Sequence, residues 1–388
     1  MKQKTLLLRG TAAALALLLA GLLFWKADLK ALDLCASAVV FSAKRLFPVS
    51  FEKETAALSE PVPPAPEETT APAATAPPSS ETAPLPEPSS AAAPESQETA
   101  FFSTPQDVLD RMEKARAKAK KDKKGGTLLE KQYTDEGVTD KKGILRVKNT
   151  NDTEIDLNAL LKRKADLSVK KDEPCVLIFH THTTETYQLL DRGFYAADFA
   201  SRSSDSGQNM VRVGDEICKQ LEEAGYSVLH DTEIHDARYT GAYEHSRAAV
   251  KDYLEKYPSI RITLDVHRDA ILPDRTTKIK PTAVIGGKKA AQVMIISGCQ
   301  EEGNGVTDFP DWEENLVFAL QLQKHMEVLF PGLTRPLFFC PRRYNMHLTH
   351  CSLLLEVGSD GNTLEEAVRS GRCIGKALAQ LMKKYEKS

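Results

Sequence analysis

The chain has 388 residues and a net charge of −3. That length allows one or two domains plus non-globular segments, and the charge shows no basic excess of the kind nucleic-acid binders carry. The seven cysteines, at positions 35, 175, 218, 299, 340, 351 and 373, include no CxxC pair, which argues against a zinc ribbon or a tight disulfide framework.

Residues 1–50 read as a cytoplasmic start and a membrane anchor or signal. Lys2, Lys4 and Arg9 precede an almost wholly apolar stretch from Gly10 to Trp25, a little short for a full span. A second apolar patch, Ala31 to Phe41, carries Asp33 and reads as interfacial. Leu34 stands before Cys35 where a lipobox needs a small residue. An uncleaved anchor with the rest of the chain outside is preferred to a cleaved signal; either way the bulk is exported. Residues 51–104 are Pro, Ala, Ser, Thr and Glu with few large apolar side chains. Such a segment buries too little surface to offset ordering entropy, so it reads as an extended spacer behind the anchor.

Residues 105–172 read as a lead-in. Thr104-Pro105 opens a helix through Val108, Leu109 and Met112 into the lysine run that ends at Lys124. That run reads as a solvated face, with contact to an anionic polymer as the alternative. Gly143 to Lys148 is a candidate strand, and Asp156 caps a short helix through Leu161. Residues 173–388 then alternate strand and helix patterns. Strands are expected at Cys175–Phe179, Tyr226–Leu229, Arg261–Val266, 283–285, 291–297 and 353–355, and helices at 209–224, 243–257, 312–330 and 363–384. Alternation of this kind predicts an α/β domain with a mostly parallel, twisted sheet flanked by helices.

Three of these strands end in polar groups. Phe179 precedes His180-Thr181-His182, with Glu185 three residues on; Val266 precedes His267; Leu355 precedes Glu356. In open α/β sheets the chemistry lies outside the carboxyl ends of the strands, so the three groups can converge. Imidazoles and a carboxylate at one address suit Zn²⁺ with one position left for water, and a second carboxylate can move a proton to a leaving amine. The plain alternative is that each histidine is a loop residue bonded to backbone. His230, His235, His245, His325, His347 and His350 lack that address.

The segments VLIFHTHTTETY, LDVHRDA and LLLEVGSDGNTLEEA resemble those of the stage II sporulation protein P family of peptidoglycan hydrolases, over roughly residues 140–385. The resemblance implies the fold of zinc-dependent N-acetylmuramoyl-L-alanine amidases and cleavage of the amide between muramic acid and L-alanine. It also implies an added endopeptidase activity on peptide cross-links during engulfment. Implied partners are stage II sporulation proteins D and M, and the implied place is the outer face of the cell membrane. Carried over residue by residue, the first ligand is His182 rather than its neighbour His180, which is kept as a further candidate metal ligand; the later ligand is His267 and the catalytic acid is Glu356. The helix Glu that serves as middle ligand in the wider amidase family has no counterpart at Ser206 to Met210. Glu185 is the substitute, with Asp205 and Glu216 as weaker candidates. Arg268 and Asp269 read either as groups that orient the ligand histidine or as a surface ion pair. Arg342, Arg343 and Asn345 read either as contacts to substrate carboxylates or as surface charge. Without the helix Glu, a non-catalytic peptidoglycan-binding module on a degenerate amidase fold is the alternative function.

Overall fold

The computed structural model describes residues 97–387. The expected anchor and the spacer up to residue 96 lie outside the described residues. The spacer's expected end at 104 is corrected, because residues 97–102 are helical, Phe102 is buried, and Arg369 and Arg372 bond the carbonyls of Phe101, Phe102 and Ser103. Among the described residues no helix is long and apolar enough to cross a membrane.

Helix α1 (Gln97–Phe102) leads into α2 (Gln106–Ala119), which buries Val108 and Met112. The lysine run does not stay helical to its end, because Lys124–Lys131 is strand β1. Two glycines, Gly125 and Gly126, lie at the start of this strand, where neighbouring backbone comes close. A Cβ on Gly126 would stand 2.1 Å from the Thr276 carbonyl, so only glycine lets β1 come this close. Strand β1 lies between β5 (Phe194–Ala196) and β8 (Thr277–Ile285), and β9 (Lys288–Ala291) completes a four-stranded mixed sheet that the hydrophobic pattern did not announce.

The larger sheet has eight strands. From one edge to the other these are β2 (Val138–Thr139), β3 (Arg146–Asn149), β11 (Leu337–Cys340), β10 (Val293–Gly298), β12 (Cys351–Ser359), β7 (Ile262–Asp269), β4 (Pro174–Phe179) and β6 (Ser227–His230). Neighbours pair in parallel except β2 with β3 and β10 with β12, so the sheet is mixed and mostly parallel. The lead-in is woven into both sheets, and Asp156 caps the short helix α3 (Leu157–Leu160) as its sequence suggests.

Side chains alternate across these strands. Val176, Ile178, Ile262, Leu264, Val266, Leu353 and Leu355 join the large core with Met210, Val213 and Ile217 of α4 (Met210–Glu223) and Ile374 and Leu378 of α7 (Leu364–Met382). On the other face Leu177 and Phe179 pack with Val250 of α5 (Ala242–Lys256). Helix α6 (Trp312–Leu329) packs along β10 and β12. The expected capping box of Thr363 and Glu366 is formed. The six described cysteines are free and buried.

Candidate active site

Strands β12, β7 and β4 are adjacent and parallel, so their carboxyl ends share one edge. β7 and β12 run further than their apolar cores suggest, which puts His267 and Glu356 inside paired strand rather than beyond it. Glu356 is directly opposite His267 in the register, and Asp265 lies two residues earlier on the same face. Past the end of β4, Thr181 donates through its backbone N–H (2.8 Å) and its hydroxyl (2.7 Å) to the two oxygens of Asp265. That clamp fixes the turn that carries His182 over β7.

The rings of His182 and His267 meet edge to face with centroids 5.3 Å apart. Glu185 Oε2 lies 3.7 Å from His267 Nδ1, close to the roughly 3.4 Å that separates two donors on one tetrahedral zinc with bonds of about 2.1 Å. Asp265 Oδ1 lies 2.7 Å from His267 Nε2, but out of line for a hydrogen bond. His182 Nδ1, His267 Nε2 and Glu356 Oε2 are buried with no hydrogen-bond partner. A buried polar group left this way costs about 1–3 kcal/mol, so the orphaned atoms need an explanation. Among the described residues no group of three or more His, Cys, Asp or Glu side chains is closed around a point as a metal site. The donor types suit a zinc ion, with His267 Nδ1 towards Glu185 and its unpartnered Nε2 towards Asp265; the side chains are not gathered on one point.

The electrostatics push neighbouring groups apart. Burial, with help from His267 and Arg202, holds the His182 imidazole down to about 3. For His267 burial also opposes charge, but Asp265 in contact, with Glu185 and Glu356 nearby, prevails and raises it to about 9. Burial, with repulsion from Asp269, lifts the Glu356 carboxyl well above the usual carboxylate range. A carboxyl so raised is suited to proton transfer near neutral pH.

Three tyrosines surround the imidazoles. Tyr239, 51% exposed, stacks on His182 at 4.8 Å, and Tyr243 lies parallel to His267 at 6.4 Å. Tyr344 tilts against Tyr243 at 5.3 Å. Its backbone is left-handed, with φ of 45°, which costs a bulky residue of order 1–3 kcal/mol.

Residues 90–379 match the family model described as stage II sporulation protein P. The chain belongs to the stage II sporulation protein P family. It is 32% identical over 228 residues to stage II sporulation protein P of Bacillus subtilis strain 168. That alignment covers 56% of this chain and 53% of the relative, so the chain matches about half the length of its curated relative. Two solved structures are also similar in part. One is the CwlD amidase from Clostridioides difficile in complex with the GerS lipoprotein, with a TM-score of 0.33 and 10% identity over 54% of this chain and 98% of that one. The other is an N-acetylmuramoyl-L-alanine amidase from Clostridium difficile 630, with a TM-score of 0.32 and 12% identity over 55% of this chain and 97% of that one. Scores this low carry no argument about the site.

In this family member His182, His267, Glu185 and Glu356 come together. His180 does not, and its expected place among the ligands is corrected. Alternation continues from Ile178, turning His180 to the opposite face under α4, where a Cβ on Gly214 would meet it at 2.8 Å. Its Nδ1 bonds the Val266 carbonyl and its Nε2 faces His230, each at 2.9 Å, so neither nitrogen is open to the cluster. Asp205 is taken by Arg111, and Glu216 by Arg212 and Arg372, away from the imidazoles. Arg268 is buried; its N–H donates to Glu185 Oε2, and its side chain donates to the carbonyls of Thr186 and Ser201. It therefore orients Glu185, while Asp269 pairs with Arg335. Asn345 faces inward, accepting from Arg247 and donating to Ser246 and the Tyr243 carbonyl.

Several site groups escaped the sequence reading. Asp265 had a signal, since period two places it beside His267. Arg202, which reaches Asp236 and lies 3.6 Å from Glu185, and Asp236, which accepts from Thr184, come from irregular loops with no pattern to mark them. The same is true of Tyr239 and Tyr344.

Proposed function

We propose that this chain is a peptidoglycan amidase that cuts the bond between N-acetylmuramic acid and L-alanine, attached to the outer face of a membrane by its N-terminal apolar stretch. The observation that supports it best is the meeting of His182, Glu185, His267 and Glu356 at one sheet edge, with an unpartnered buried atom on each of His182, His267 and Glu356. In this reading His182, His267 and Glu185 hold zinc, and Arg268 fixes the Glu185 carboxylate. When bound, zinc supplies Lewis acidity at the scissile carbonyl. Glu356 takes a proton from the attacking water and returns it to the leaving amine. Asp265 sets its charge against the His267 ring and, through Thr181, fixes the turn before His182. Cleavage of peptide cross-links, and assembly with stage II sporulation proteins D and M, belong to the same reading.

The test is digestion of purified sacculi by the full chain, with products read by mass spectrometry. Free stem peptides beginning at L-alanine, lost with chelator and restored by Zn²⁺, are the expected outcome. Undiminished release by His267→Ala overturns the mechanism. A binding-only role has one observation in its favour, the lack of a counterpart at Ser206 to Met210 for the helix Glu of the wider amidase family. Retention on sacculi without turnover, and no zinc by elemental analysis, selects it.

A further inference from the structure

We infer that Tyr344 is a substrate-contacting residue of this site, its phenol donating a hydrogen bond to an oxygen of the glycan-linked peptide; the inference rests on the amidase reading above. Three observations converge on it. First, Tyr344 is one of two non-glycine residues among those described with positive φ, and the bulkier of them. Glycine or asparagine would adopt that backbone at less cost, so the conformation serves the side chain and not the turn. Second, the next residue holds it there. Asn345 is buried, accepts from Arg247 Nε at 3.0 Å and donates to Ser246 Oγ at 2.9 Å and the Tyr243 carbonyl at 3.2 Å. These bonds fasten the loop before β12 to α5 and leave the Tyr344 ring between Tyr243 and the small apolar cluster of Ile296, Phe309, Cys340, Met346 and Leu354. Third, the ring continues a stack that runs from His267 through Tyr243 to Tyr344. Among the described residues its hydroxyl has no hydrogen-bond partner. The ring is held by the chain, while the phenol oxygen, one ring beyond the imidazole cluster, keeps a donor for something that is not part of the chain.

The variants are Tyr344→Phe, which removes only the hydroxyl, and Tyr344→Gly, which removes the ring and relieves the backbone. A defined disaccharide muropeptide is the probe, with full-length protein throughout. Tyr344→Gly loses ring packing while it relieves the backbone, so its stability is measured separately by urea unfolding, and in the folded variant kcat/KM should fall more than about 10-fold, mostly through KM. Tyr344→Phe should show a smaller rise in KM at unchanged stability. Binding of the same muropeptide is measured calorimetrically in the Glu356→Gln background, where turnover is not needed. Weaker binding by the tyrosine variants there supports the inference even if the parent chain cuts nothing, an outcome that removes the amidase reading alone. Unchanged KM and unchanged binding in Tyr344→Gly overturn the inference and leave the amidase reading standing. A parent chain that neither binds nor cuts the probe overturns both.

Discussion

Asp265 and His267 stand two positions apart on one strand and put their side chains on the same face, with Asp265 Oδ1 2.7 Å from His267 Nε2. The same carboxylate accepts two bonds from Thr181, so it serves both imidazoles of the cluster, one directly and one through the turn. Asparagine in its place keeps an oxygen for the Thr181 N–H, but it loses the charge and puts an NH2 where the Thr181 hydroxyl now donates. Asp265→Asn should therefore fold and weaken zinc binding about 10- to 100-fold, the usual consequence of removing a group that orients a ligand. Chelator competition on the full chain measures it; unaltered affinity would mean that His267 needs no help from its neighbour.

His180 separates a structural histidine from a liganding one. Burial and the neighbouring His230 keep its imidazole neutral, lowered to about 3, and both ring nitrogens are bonded or faced within the protein. His180→Asn should cost about 1–3 kcal/mol in urea unfolding, from the bonds and packing lost under α4. Zinc affinity and hydrolysis should stay close to those of the parent. Loss of metal without loss of stability would reverse that assignment.

The contrast between His180 and His182 explains how far the sequence could be read. The apolar runs of β4, β7 and β12 fixed three strand ends on one edge, because a buried parallel strand needs a continuous apolar stretch. Thr363 with Glu366 and Asp156 marked helix starts through local bonding alone. Two-residue alternation could have excluded His180, since Ile178 already pointed to the α4 core. Strand ends were harder to place, because His267 and Glu356 are polar yet paired. Strand β1 was hidden in a lysine-rich stretch whose pairing with β8 is long-range. Arg202, Tyr239 and Tyr344 reach the cluster from loops shaped by contacts distant in the chain, so no local pattern carried them.

A second buried histidine gives a pH dependence with a definite sign. His235 Nε2 lies 2.9 Å from Asp231 Oδ2. Burial opposes the charge on His235, but the bond and charge of Asp231 prevail and raise it; burial likewise opposes the charge on Asp231, and His235 lowers it. The raised histidine contributes stability that is full below its unfolded value near 6.5 and is lost as pH rises through its folded value. The lowered carboxyl contributes stability that is present above roughly 3.9 and is lost as pH falls through its folded value. The pair should therefore stabilise most between about pH 4 and 6.5. Urea midpoints of the parent and Asp231→Asn across pH 4–9 should differ most in that window and converge above it. A constant difference at every pH would assign the loss to packing.

Lys280 shows where a charge matters most to stability. Its side chain is 1% exposed, and its Nζ lies 2.8 Å from Glu366, 2.9 Å from Asp191 and 3.1 Å from Glu130. It thus ties the smaller sheet to the start of α7, where Glu366 also caps the helix through the Thr363 N–H. Lys280→Met keeps most of the volume but leaves the buried Glu366 carboxylate without its cation. Breaking a buried pair from one side costs about 3–5 kcal/mol, because the remaining charge is uncompensated. The urea midpoint should fall accordingly with the slope unchanged. Lys289 offers an internal control, since it pairs with the same Glu130 and Asp191 from an exposed position. Lys289→Met should cost under about 1 kcal/mol. Equal losses in the two variants would mean that Glu130 and Asp191, and not the buried Glu366, carry the effect.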